Sequence, residues 1–250
     1  MVPVVLPVVL IHGLIGPLGD ARAWDRLAPH KVIAPDLLGY GEHADTRTPI
    51  DIAAQVAHVR DLLGERRVHL VGHSVGGVIA TAYAHRYADS VASLVNVEGN
   101  FTLADAFWSG QLAQQPSAEV EASLARDRED LAGWLRRAEL PVTPEWIAVA
   151  DMVLRFQPAT TMQAMASSVV SFTGAPAWEP MLRDVFAAVP VDLVAGGRSR
   201  AGWHVPPWAL AAARSYAEIP ETGHMMMFED PELFGTAVAR LLDGDSPPAT

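Results

Sequence analysis

Six short apolar runs, rich in β-branched residues and separated by longer stretches of helix formers, limit what this chain can fold into. They are "VVLIHG" at 8–13, "KVIAPD" at 31–36, "RVHLVGHS" at 67–74, "VASLVNVE" at 91–98, "VPVDLVAGG" at 189–197 and "ARSYAEIP" at 213–220. Runs that are apolar throughout, not alternately, belong to strands buried on both faces, and the helical stretches between them supply the crossovers that parallel pairing needs. The class is therefore α/β. At 250 residues the chain can form one large domain, or a domain with a subdomain.

Between Asn100 and about Asp184 the alternation stops. This segment carries Trp108, Trp134, Trp146 and Trp178, and prolines at 116, 141, 144, 158, 176 and 180 cut it into short helices. It reads as a helical cap, 100–184, inserted into a core made of 1–99 and 185–245, with 246–250 a frayed tail.

Composition narrows the partners. The 29 acidic and 18 basic residues give a net charge of −11, which disfavours nucleic acid and anionic membrane surfaces. The absence of cysteine excludes disulfides, a thiolate nucleophile and thiolate metal sites. The apolar start "MVPVVLPVVLIHG" has no basic leader and contains two prolines, so it reads as a strand and not as a signal peptide. No later run approaches the ~20 apolar residues of a membrane span. A cytoplasmic monomer or homodimer is expected.

The chemistry gathers at "VGHSVGG", Val71 to Gly77, which fits G-x-S-x-G between an apolar strand and a helical run. Such a turn is tight enough to strain the serine backbone and lift its hydroxyl above the sheet edge, with glycines 72 and 76 letting neighbouring chain pass close by. Here the chain resembles the α/β-hydrolase superfamily, over nearly all of its length outside the cap. The resemblance makes Ser74 the nucleophile. It also matches His12-Gly13-Leu14 to the family's HG turn, which implies an oxyanion hole formed by the N–H groups of Leu14 and Val75. His12 is then a structural hydrogen-bonder. "APDLLGYGEH", Ala34 to His43, resembles another family loop and leaves Asp36 structural, and "GHMMMFEDPELF" resembles the histidine loop and assigns His224 as base. His204 is a minor candidate.

An imidazole that takes the serine proton needs a carboxylate to hold its tautomer and stabilise the imidazolium. The family's usual aspartate follows the next-to-last strand, and in the matching stretch "AGGRSRAGWHVPP" its position holds Ser199, which is neutral. The strand "LVNVEGN" instead ends on Glu98. Some family members carry their acid there, and zearalenone lactonases, similar in this respect, use a glutamate. Glu98 is accordingly the expected third member. Asp192 and Glu221 stay as minor alternatives, as does a strand-end glutamate that only pairs with a cap arginine.

The implied reaction is hydrolysis of a carboxylic ester or lactone with a hydrophobic part. Phe101, Phe107, Trp108, Met152, Met162, Met165, Trp203 and Met225 are candidate contacts for that small molecule, although such side chains at helical spacing are more often core than pocket. No motif calls for a metal or organic cofactor. Dehalogenase and epoxide hydrolase chemistry would need aspartate at position 74. Carbon–carbon hydrolase, cofactor-free haloperoxidase and hydroxynitrile lyase chemistry remain open, as does a small-molecule receptor with little turnover.

Overall fold

The computed structural model describes residues 5–244, so the expected frayed tail at 246–250 lies outside the described residues. Its strands are β1 (Val8–Ile11), β2 (Val32–Ile33), β3 (Val68–His73), β4 (Val91–Val97), β5 (Val191–Gly196) and β6 (Ser215–Ile219). All pair in parallel, in the order β2-β1-β3-β4-β5-β6. Each of the six apolar runs read from the sequence contains one of these strands. The central ones are buried along nearly their whole length, as a parallel sheet covered on both faces requires.

The helices are α1 (Ala21–Asp25), α2 (Ile52–Leu63), α3 (Val75–Arg86), α4 (Phe107–Gln114), α5 (Ser117–Glu129), α6 (Leu131–Arg137), α7 (Pro144–Arg155), α8 (Ala159–Thr173), α9 (Trp178–Ala188), α10 (Pro207–Ala212), α11 (Met226–Glu229) and α12 (Pro231–Leu242). Helix α1 packs on α12, which also reaches β4 and β6, whereas α2 and α9 pack on α3. Ten of the twelve residues of α3 are buried, so its sequence shows no polar face to betray it as a helix. Its neighbours cover it all round.

Six helices, α4 to α9, separate β4 from β5. Helices α4 and α5 pack on α8, and α6 packs on α7. Helix α9 straddles the boundary expected at 184 and lies against α3. No helix among the described residues is long and apolar enough to cross a membrane.

Candidate active site

The sheet's own register brings two of the sequence candidates together. Strands β3 and β4 are paired with His73 opposite Val97, so the next residues, Ser74 and Glu98, leave the carboxyl edge side by side. Neighbouring strands lie about 4.8 Å apart. Each residue is tied by one more ladder bond, Ser74 N to Val97 O at 3.0 Å and Glu98 N to Val194 O at 3.1 Å. Each then turns out of the sheet with positive φ, 54° at Ser74 and 44° at Glu98. Non-glycine residues reach that region at a cost in strain, which the surrounding structure must hold in place.

The turn at Ser74 depends on its glycines. A Cβ on Gly76 would collide with the carbonyls of Ile11 and His12, and one on Gly72 would lie 2.5 Å from the Gly76 carbonyl. The HG turn presses against the serine as well, since a Cβ on Gly13 would sit 3.2 Å from Ser74 Cβ. Ser74 is the half-buried exception among fully buried neighbours. The amide N–H groups of Leu14 and Val75 have no acceptor among the described residues, and the Tyr40 hydroxyl donates to Leu14 O at 3.1 Å, fixing that turn from behind.

Glu98 is 5% exposed and fully bonded. Its Oε2 accepts from His224 Nδ1 at 2.6 Å, and its Oε1 accepts from Gly196 N at 2.8 Å and from Ser199 Oγ at 2.6 Å. Burial pushes the carboxyl pKa up, but the His224 bond, the His224 charge and the two neutral donors outweigh it and hold the group below its ordinary value. In the neutral imidazole, donation from Nδ1 leaves Nε2 as the acceptor, the tautomer a base requires. Ser74 Oγ makes no hydrogen bond to His224; in ligand-free sites such contacts are often long and tighten only around substrate.

A residue the sequence reading did not single out braces this histidine. His73, between Gly72 and Ser74, donates from Nε2 to His224 O at 2.9 Å, and the two rings lie 4.4 Å apart. Burial, assisted by the His224 charge, keeps the His73 pKa well below its ordinary value, so His73 is neutral. Its place inside the pentapeptide was the available signal. His12 is also buried, with its pKa lowered by burial to about 4, and its Nδ1 is bonded to Gly13 O at 2.9 Å, which agrees with a structural part.

His224 opens into a cavity of about 570 Å³. Trp108 and Met225, expected as contacts, line it together with Ile15, Trp134, Leu140, Arg137, Arg198 and Ser199, none of which had been expected there. Trp203 lines a smaller recess of about 160 Å³ with Glu98, Ser199 and His224. The other expected contacts lie elsewhere. Phe101 (3% exposed) and Met165 (0%) are core, with the Phe101 ring packed at a tilt against Phe186 and Trp203. Phe107 and Met152 are exposed and line neither cavity. Met162 lines a side chamber of about 60 Å³, which shares Ile15, Trp108 and Trp134 with the main cavity.

The alternative acids do not bond the imidazole among the described residues. Asp192 binds Arg214, and His224 Nδ1 is taken by Glu98, not by Glu221. His204 Nδ1 lies 3.2 Å from Asp105 Oδ1. Among the described residues no group of three or more His, Asp or Glu side chains is placed to share a metal ion.

Known proteins agree with this architecture. A Mycobacterium bovis protein described as uncharacterized is 28% identical over 96% of this chain and 76% of its own length. Lipase 1 of Psychrobacter immobilis is 35% identical over half of this chain and 40% of its own. The crystal structure of a loop variant of a Bradyrhizobium elkanii haloalkane dehalogenase shares the fold, with a TM-score of 0.64 at 22% identity over 96% of this chain and 89% of that one. The sequence model of the alpha/beta hydrolase family matches residues 8–237, and the chain belongs to that family.

Proposed function

We propose that this hydrolase is a serine esterase or lactonase, with Ser74 as nucleophile, His224 as base and Glu98 as the acid that orients it. The observation that carries the reading is the 2.6 Å bond from His224 Nδ1 to a buried carboxylate that stands next in register to a serine in a strained turn. Ser74 Oγ attacks the carbonyl carbon while His224 Nε2 takes its proton. The two unspent N–H groups of Leu14 and Val75 receive the oxyanion. His224 then protonates the departing alcohol, and a water activated by the same imidazole releases the acid and frees Ser74. Glu98 stays ionised throughout and compensates the imidazolium.

The cavity suits a small molecule with an apolar part. Its volume falls within the usual range of ligand sites, roughly 300–1,000 Å³, and Ile15, Trp108, Trp134, Leu140 and Met225 give it an apolar wall beside the charged Asp127, Arg137, Glu139, Arg198 and Glu229. The side chamber beyond Trp108 and Trp134 extends that wall with Leu112, Val120, Leu124 and Leu154. A hydrophobic ester or lactone fits these surroundings. The serine at position 74 separates this reading from dehalogenation, which in this fold proceeds through an aspartate.

The test is the rate at which a fluorophosphonate adds to the intact protein, measured by mass. Wild type is expected to gain one adduct quickly and to hydrolyse short p-nitrophenyl esters, whereas Ser74→Ala gains none. A folded wild type that neither labels nor turns over would overturn the reading in favour of a receptor of the same fold.

A further inference from the structure

Ser199 occupies the place where the family's aspartate is expected, and in the structure it is not idle. Its hydroxyl lies 2.6 Å from Glu98 Oε1 and 3.3 Å from Gly196 O. A hydroxyl has one proton, and the shorter contact to a carboxylate takes it. The serine is held for this purpose by its own backbone: Ser199 N donates to Gly196 O at 3.1 Å, and Ser199 O accepts from Gly202 N at 2.9 Å. The same turn delivers Gly196 N to the same oxygen at 2.8 Å.

Oε1 is therefore gripped by two donors and Oε2 is left to face the imidazole. Both of those donors are neutral. An arginine there would neutralise the carboxylate, whereas a hydroxyl and an amide N–H fix its plane and leave its charge to the imidazolium.

We propose that Ser199 is a positioning residue, holding Oε1 so that Oε2 stays aligned on His224 Nδ1. This rests on the hydrolase reading above. Position 199 thus serves the acid that stands at 98 instead of being the residue of a lost one. A carboxylate introduced at 199 would stand within hydrogen-bonding distance of Glu98, and two like charges so close cannot both stay ionised. Aspartate, the family's own residue, is then worse here than alanine.

The experiment compares Ser199→Ala, Ser199→Thr and Ser199→Asp by steady-state ester hydrolysis and by the downfield proton NMR signal of the His224 Nδ1–H, which is read without turnover. Ser199→Ala is expected to lower kcat about tenfold with KM nearly unchanged, the effect of a lost hydrogen bond to a charged group. Ser199→Thr keeps the hydroxyl and stays close to wild type, and Ser199→Asp falls below Ser199→Ala. The NMR signal shifts or broadens in the alanine and aspartate variants and not in the threonine one.

Because Ser199 also lines both cavities, a loss carried by KM would make it a substrate contact and overturn the proposal. So would an aspartate variant as fast as wild type, or an unmoved NMR signal in a folded alanine variant. If wild type hydrolyses no ester, the kinetic arm falls with the hydrolase reading, and the NMR arm alone decides whether Ser199 holds Glu98.

Discussion

Two buried carboxylates sit on neighbouring strands and differ chiefly in the basic side chain they face. Asp192, the second residue of β5, is 0% exposed, and Glu98, just past the end of β4, is 5% exposed. Each accepts a serine hydroxyl, from Ser215 at 2.7 Å and from Ser199 at 2.6 Å. Asp192, however, faces Arg214, which donates to both of its oxygens and also binds Leu241 O at 2.7 Å at the end of α12. Glu98 faces His224, which is about half exposed and opens on the main cavity. A guanidinium is charged at every working pH and its fork fits a carboxylate in two places, so that pair is a lock. An imidazole gains and loses its proton near neutrality, so the other pair can take part in a reaction.

The largest expected effect is on turnover. Glu98→Gln is expected to lower kcat by about 10³- to 10⁴-fold, as the loss of an orienting acid does, while the thermal midpoint falls less than it does for Asp192→Asn, because the partner His224 is about half exposed. Ester hydrolysis paired with a melting curve measures both. A Glu98→Gln protein with wild-type kcat would erase the contrast and reduce the strand-end glutamate to a cap.

Asp192→Asn is expected to do the opposite. It leaves Arg214 without its carboxylate and should cost about 3 kcal/mol, the low end for a broken buried pair because the guanidinium keeps a third of its exposure. In a protein of this size that is a fall of roughly 6–12 °C in midpoint. The kcat of the molecules that remain folded is expected to be unchanged. Lost turnover in a folded Asp192→Asn protein would show that the lock also shapes the site.

The same contrast separates what the sequence disclosed from what it did not. The strands and the turn at Ser74 were legible because their residue types answer to backbone geometry: continuous β-branched runs for a doubly covered sheet, and glycines 72 and 76 where a Cβ meets neighbouring chain. The contact between Glu98 and His224 was legible from the missing aspartate at 199. The use made of Ser199 was not, because a neutral residue in an acid's place looks like a loss until the neighbouring strand's side chain is seen bonded to it. Cavity walls were the least legible. Met165 differs from Trp134 only in where the helices between β4 and β5 lay it down, and hydrophobicity is the same signal in core and wall.

Stability against pH gives the smallest effect and sharpens the comparison further. His12 has a folded pKa of about 4 and His73 one well below its ordinary value, both chiefly through burial. The unfolded chain protonates these histidines near pH 6.5 and the folded chain does not, so stability is full above 6.5 and declines as pH falls from there toward 4. At pH 5.5 the loss is about 1.4 kcal/mol for His12. Glu98 acts in a lower window and with the opposite kind of shift. Its folded pKa is depressed, so its contribution is full above the unfolded carboxyl pKa and disappears as pH falls through the folded one. Urea midpoints measured from pH 7 down to pH 3 therefore fall in two stages. Glu98→Gln is expected to soften only the stage below about pH 4.5, to which Asp20, held low by Arg22, also contributes, and His12→Asn to soften only the one above it. A Glu98→Gln protein that keeps the lower stage intact would mean that the carboxylate is not held ionised by its three donors, and the contrast with Asp192 would then rest on geometry alone.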